Sequence, residues 1–265
     1  MMPIIQVGPA SIQSLVLALL IAIWLGASIT ERQAKRRGIR SDDVWNIMLI
    51  GIAATILFGR IVFILQNSMI YASQPFDMFS LTASALSLDY GIAGGAIAAY
   101  TYVVWRNISF ARFADALAPG ALIALAIITI GQLLNGDAIG TPTDLPWAIS
   151  LWGDLRHPVQ IYLAMITLIG AIVVWQLARR PLHDGSIALF AIAWYSAARV
   201  FIDGFRGDET LLGGGYRLSQ MVAFIVLLMA LWAMSRLEGK PEPRFLVGSA
   251  KNNADSVEKS GFSND

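Results

Sequence analysis

The sequence predicts an all-α, polytopic membrane protein with about seven transmembrane helices, its N-terminus outside and its C-terminus inside. Three observations carry this. Charged residues make up only 14% of the 265 residues and hydrophobic residues 56%, against about 25% charged in an average soluble domain. Apolar runs of about 20 residues, the length that crosses a bilayer core as a helix, recur along the chain. Lys and Arg collect in alternate connecting loops, the pattern that sets membrane orientation.

The apolar segments fall at 11–30, 44–67, 86–105, 116–135, 158–177, 185–204 and 217–236. The first has no basic stretch before it and a strongly basic one, "ERQAKRRGIR", after it. It therefore reads as a spanning helix and not as a cleavable signal. The second carries Arg60 directly after Gly59. The third opens near Asp89 and contains Gly91, Gly94 and Gly95, small residues that permit close helix approach or leave room for a lipid chain. Between the fourth and fifth lies "NGDAIGTPTDLPW", whose glycines and prolines mark turns and whose Trp147 suits a membrane interface. The fifth follows "RHPVQIY", where Pro158 is tolerated because a first-turn N–H has no helical partner anyway. The sixth, "LFAIAWYSAARVFIDGF", holds Arg199. Residues 1–237 form one membrane domain in this reading. The polar tail 238–265 has no helical apolar period and reads as disordered and cytoplasmic.

All but five of the 19 Lys and Arg fall after the first, third, fifth and seventh segments. Arg156, Arg206 and Arg217 lie on the opposite side, and Arg60 and Arg199 lie within spans. A net charge of +1 gives no basis for nucleic-acid binding. The absence of cysteine excludes disulfides, a thiol nucleophile on this chain and Cys-ligated metal. His157 and His183 are too few and too far apart to suggest a metal cluster.

An arginine inside a span is costly, about 2.5–3.5 kcal/mol on insertion scales, and marks a candidate site. Tyr195, Arg199, Asp203 and Arg206 are spaced by four, four and three, which sets them on one helical face. Two readings stand. The stripe holds an anionic head group, or an Arg199–Asp203 pair only ties helices together. Arg60 also needs a partner, and Asp89 is the candidate, either in a site or in a buried structural pair. Asn135 and Asp137 sit where the fourth span ends, at the depth of a head group. Arg156, at the start of the fifth span, suits an anion site or a solvated interfacial charge.

These residues carry a resemblance. "NGDAIGTPTDLPW" followed by "RHPVQIY", and "WYSAARVFIDGFRGDE" followed by "YRLSQ", resemble the prolipoprotein diacylglyceryl transferases in content and order. "FARFADALAP" and "FGRIVFIL" fit too, so the resemblance covers roughly residues 5–236. It implies a seven-span enzyme of the bacterial inner membrane that needs no cofactor and no metal. Such an enzyme transfers the diacylglyceryl group of phosphatidylglycerol, drawn from the membrane lipids, to a lipobox cysteine thiol on the signal segment of a preprolipoprotein. A thioether forms and glycerol 1-phosphate leaves.

Carried over by position, Tyr195, Arg199 and Arg206 match the family's tyrosine and arginines, and Asp203 stands where the family has glutamate. Asn135 and Gly140 match its outer loop, Asp137 again replaces glutamate, and Arg60 and Asp115 match an arginine and an aspartate. The resemblance thus implies Arg199, Tyr195, Asp89 and Asp137 as catalytic. It implies Arg60, Asn135, Gly140, Arg206, Asp203 and Gln132 as substrate- or phosphate-binding. Four further positions depart from the family. Thr129 replaces an arginine, Gln132 an asparagine, Asp89 a histidine and Leu15 a tyrosine. These departures leave open a non-catalytic lipid- or signal-peptide-binding relative, or a transferase for another acceptor.

Overall fold

The computed structural model describes residues 4–7, 10–73, 86–137, 140–151, 153–207 and 217–238. A short antiparallel hairpin, β1 (Ile4–Val7) and β2 (Ala10–Gln13), precedes the helices. Seven longer helices follow: α1 (Ser14–Arg36), α2 (Ser41–Gln66), α4 (Leu88–Trp105), α5 (Phe110–Asn135), α6 (Val159–Leu177), α7 (Ser186–Ile202) and α8 (Leu218–Glu238). A short helix, α3 (Ser68–Ser73), follows α2, and a second hairpin, β3 (Ile149–Leu151) and β4 (Asp154–Arg156), precedes α6.

The all-α membrane class stands. Six of these helices are long and apolar enough to cross a membrane, and α4 is the seventh helix, outside that group. Asp89 and the glycines dilute its hydropathy. The first span begins later than its apolar run: residues 11–13 belong to β2, and α1 then extends through Lys35 and Arg36. Those cations in the last turn suit the negative end of the helix dipole. Asp42 and Asp43 at the start of α2 suit the positive end in the same way. The tail expected at 238–265 lies outside the described residues beyond Glu238, which closes α8.

Burial is inverted relative to a water-soluble protein. Trp24, Leu49, Leu57, Ile97 and Trp232 project outward, while Thr30, Gln33, Asp115, Gln160 and Asp203 are buried. Lipid-facing apolar side chains and inward polar groups are what a bilayer solvent selects. The main pairings are α1 with α5, α2 with α4, α5 with α6, and α7 with α8. Gly91, Gly94 and Gly95 serve packing: a Cβ at Gly91 or Gly95 would collide with α2 at Thr55, and one at Gly94 with Phe58.

The two ends of the bundle differ. At one end, Arg106 Nε donates to Asp43 at 3.0 Å and the Tyr102 hydroxyl to the same carboxylate oxygen at 3.1 Å. Asp115, fully buried, accepts from the backbone N–H of Gly185 and of Ala188, each at 2.8 Å, and so caps the N-terminus of α7. At the other end, α5 stops at Gly136, whose left-handed φ of 88° lets the N–H of Asp137 close onto the carbonyl of Gln132 at 2.9 Å. The segment 140–157 and the C-terminal end of α7 meet there.

Candidate functional site: an arginine–carboxylate cavity at the hairpin end

The site is built from three helix ends. Helix α7 supplies Tyr195 and Arg199, and the 3₁₀ turn Asp203–Phe205 that continues it supplies Asp203, followed by Arg206. The α-helical spacing stacks Tyr195, Arg199 and Asp203 on one face, as read from the sequence, whereas Arg206 lies in extended backbone beyond the 3₁₀ turn and lines the cavity from there. Helix α5 contributes Thr129 and Gln132, and α6 contributes Gln160. Together they enclose a cavity of about 120 Å³.

Arg199 Nε donates to Asp203 Oδ2 at 2.7 Å. Asp203 is 1% exposed, and the Arg199 side chain retains 26%. Because Asp203 takes Nε, the two terminal Nη groups are not spent on this carboxylate. Thr129, at the position where the resemblance implies a third arginine, turns its hydroxyl back to the Leu125 carbonyl at 2.8 Å. Both described cations of the cavity therefore come from the α7 side.

The segment "NGDAIGTPTDLPW" acts as a frame. Thr141 N–H donates to the Phe205 carbonyl at 2.8 Å, and His157 N–H donates to the Thr141 carbonyl at 3.1 Å. Antiparallel bridges join Gly140 to Arg206 and Pro142 to Arg156. The chain after α5 is thus laid as an extended strip between the end of α7 and the entry to α6. Gly140 is required there, because any Cβ would collide with the backbone carbonyl of His157. It positions Arg206 through the backbone.

Of the residues expected to bind or catalyse, the structure brings Tyr195, Arg199, Asp203, Arg206 and Gln132 into one cavity. Gly140 supports that cavity from behind. Asn135 and Asp137 sit beside it without lining it: Asn135 Nδ2 donates to the Asp137 carboxylate at 2.8 Å, and Gln160 donates to the Asp137 carbonyl.

The expected Arg60–Asp89 pair is corrected. Both belong to the α2–α4 pair and neither lines the cavity. Arg60 is buried, with its guanidinium 5.5 Å from the Tyr71 ring centroid, while Asp89 is exposed. No ion pair joins them among the described residues. Nor is Arg156 turned to an anion at a helix N-terminus. It donates to the Gly140 carbonyl at 3.1 Å and to Asp154 at 2.8 Å, holding the hairpin closed. Asp115 lies at the opposite end of α7, about 20 Å from Arg199 at 1.5 Å per residue.

Gln160 was not singled out by the sequence. A buried glutamine two residues into a span, just after Pro158, was the available signal. Two larger apolar slots adjoin the polar cavity. One, of about 510 Å³, lies between α7 and α8 and shares Tyr195 and Arg199 with it. The other, of about 400 Å³, lies between α5 and α7 and shares Tyr195.

Fold and cavity define a class: a multi-pass helical membrane protein with a cationic pocket opening beside apolar slots. The chain belongs to the prolipoprotein diacylglyceryl transferase family, whose model matches residues 3–236. It is 34% identical over 201 residues to the phosphatidylglycerol–prolipoprotein diacylglyceryl transferase of Clostridioides difficile (strain 630), covering 76% of this chain and 81% of that one. It is 27% identical over 256 residues to the enzyme of the same name from Halalkalibacterium halodurans, covering 91% and 89%. It is equally similar, at 27% over 256 residues, to that of Corynebacterium diphtheriae, covering 88% and 90%. Family membership makes the chain a transferase.

Proposed function

We propose that the chain transfers the diacylglyceryl group of phosphatidylglycerol to the cysteine thiol at the lipobox of a preprolipoprotein. The observation that carries this reading is the junction at Tyr195 and Arg199, where a small cationic cavity meets two apolar slots. An anionic phospholipid has that division of chemistry, with a compact charged head and long apolar chains. Arg199 and Arg206 hold the phosphate. The thiol gives up its proton through solvent to the departing phosphate, its sulfur attacks the diacylglyceryl carbon, the C–O bond to phosphate breaks, and that bond's electron pair stays on the phosphate oxygen as glycerol 1-phosphate departs. Fixed cations beside that oxygen stabilise the charge that develops on it, a contribution that mutagenesis of comparable donors places at about 2.7–4 kcal/mol. Asp203 orients Arg199 for this task.

The distribution of Lys and Arg supports an orientation with the hairpin end outside and the basic end in the cytoplasm. The cavity then opens in the outer half of the inner membrane of a bacterium, where exported prolipoproteins arrive.

The experiment is a transfer assay. The full chain in nanodiscs containing phosphatidylglycerol is given a lipobox peptide, and the peptide's mass is followed. A gain of one diacylglyceryl group, absent from a peptide with serine in place of cysteine, is the expected result. The position of Thr129, neutral and turned to Leu125, favours a second reading: a lipid-binding relative, or a transferase with another acceptor. Retained phosphatidylglycerol with no mass gain would select it.

A further inference from the structure

We infer that a groove between α5 and α6, at the basic end of the bundle, binds an anionic phospholipid of that leaflet, with Arg179 on its phosphate and one acyl chain laid along α6. The groove lies at the opposite end of α6 from Gln160 and the arginine–carboxylate cavity, and the inference does not depend on the proposed transfer. Its volume is about 350 Å³, and it is lined by Ile123 of α5 and by Leu168, Ile172, Trp175, Gln176 and Arg179. Leu168, Ile172, Trp175 and Arg179 are spaced by four, three and four, so they follow one face of α6 into the turn that ends it. At 1.5 Å per residue that face runs about 16 Å. One leaflet is half of a hydrocarbon core of about 30 Å. An apolar wall of leaflet length that ends in a tryptophan and a cation has the layout of a phospholipid, chain first and head group last.

Charge decides what fills the groove. Arg179 and its neighbour Arg180 make no ion pair and no side-chain hydrogen bond among the described residues. The carboxylates at that end of α5, α6 and α7 are already taken. Asp184 accepts from Arg112 at 2.7 Å, and Asp115 accepts from Arg37 at 3.4 Å and from the backbone N–H groups of Gly185 and Ala188. The counter-charge for Arg179 therefore comes from outside the chain. A signal segment is a poor match, because its basic n-region would lie on this side of the membrane, in the proposed orientation, beside two arginines. A soluble anion would satisfy Arg179 and leave the apolar wall uncovered. A zwitterionic lipid would bring an ammonium next to Arg179 and Arg180. An anionic phospholipid answers the cation and the wall together.

The test is photolabelling of the full chain in phosphatidylcholine nanodiscs. A small fraction of the lipid is either phosphatidylglycerol or phosphatidylcholine carrying the same diazirine midway along one acyl chain. Labelled peptides are quantified by mass spectrometry, and the readout is the ratio of phosphatidylglycerol to phosphatidylcholine label on residues 168–179. Label on α7 and α8 reports the cavity at the other end of the bundle and is not counted. No acceptor peptide is present, so no lipid is consumed. The unaltered chain is compared with Arg179→Ala, Arg179→Lys and Arg180→Ala.

The expected ratio is about fivefold or more for the unaltered chain, falls toward one in Arg179→Ala, is largely kept in Arg179→Lys, and changes by less than about twofold in Arg180→Ala, taking the usual attraction of one surface arginine for anionic lipid. The contrast between the two arginines separates a site from the general pull of a basic loop, since only Arg179 lines the groove. Equal loss in Arg179→Ala and Arg180→Ala overturns the inference in favour of that general pull. An unchanged ratio in Arg179→Ala overturns it too, and so does a ratio near one in the unaltered chain, which needs no variant to fold. Failure of the transferase reading is distinct, because it leaves all of these ratios where they are.

Discussion

Arg199 and Asp203 lie one helical turn apart and are joined by a 2.7 Å hydrogen bond from Nε to Oδ2, with the carboxylate buried and the guanidinium partly open to the cavity. The pair divides labour. Asp203 compensates a charge that is costly inside a membrane, and it does so from the Nε side, which leaves the rest of the planar fork for a ligand. The pair is formed within one helical segment and so does not tie two helices together, and the anion-holding role of Arg199 is the one proposed above.

Gly140 tests whether the extended strip positions Arg206. Gly140→Ala drives a methyl group into the His157 carbonyl. The backbone on both sides is tied by hydrogen bonds, so the clash is relieved only by shifting the strip. A loss of about 1–3 kcal/mol is expected, read as a lower thermal midpoint in detergent. Transfer activity should fall further than the midpoint alone explains, because the bridge to Arg206 moves with it.

Asp115 tests the separation of structure from chemistry. Asp115→Ala strips two backbone donors at the start of α7 of their partner. Each buried donor left unpaired costs about 1–3 kcal/mol. The variant should be markedly less stable to heat, yet the fraction that remains folded at low temperature should turn over within about twofold of the unaltered chain, a bound set well below one hydrogen bond's worth. A folded, thermally robust and inactive Asp115→Ala would contradict this division.

Thr129 tests whether the cavity is short of positive charge. Thr129→Arg combined with Gln132→Asn installs the two residues that the family resemblance implies at these positions. A third cation near the leaving phosphate should raise kcat/KM for phosphatidylglycerol by about tenfold or more, since one well-placed donor is worth about 2.7–4 kcal/mol in a transition state. A steady-state transfer assay reads it directly. Unchanged or lower kcat/KM in a folded protein would show that the cavity does not use charge at that wall.

The helices were legible because membrane-crossing length and hydropathy are local properties. The start of α1 was not, because "ASIQ" continues the apolar run while pairing as β2 with the strand before it. The stripe Tyr195–Arg199–Asp203 was legible because helical spacing alone places it on one face, whereas Arg206 reaches the cavity from extended backbone bridged to Gly140. What failed needed the azimuth of one helix about another. Arg60 and Asp89 have opposite charge in successive spans, which suggested a pair, yet Arg60 turns to Tyr71 and Asp89 faces outward. Arg156 precedes a helix, which suggests an anion ligand or a solvated interfacial charge. Its partners, Gly140 and Asp154, are set by a hairpin whose register no local pattern reveals. Gln160 reaches the cavity only because α6 packs against α5 at that height.

The most direct measurement is single-turnover transfer from phosphatidylglycerol to a lipobox peptide, comparing the unaltered chain with Arg199→Ala and Arg199→Lys in nanodiscs. The expected result is a diacylglyceryl mass gain with the unaltered chain. The alanine variant should be slowed by about 10²–10³ or more while still inserted in the membrane. Lysine should recover only part of the rate, because a point charge does not replace the fork that binds Asp203 and phosphate together. Turnover by Arg199→Ala equal to that of the unaltered chain would contradict the assignment of this cavity as the site of transfer.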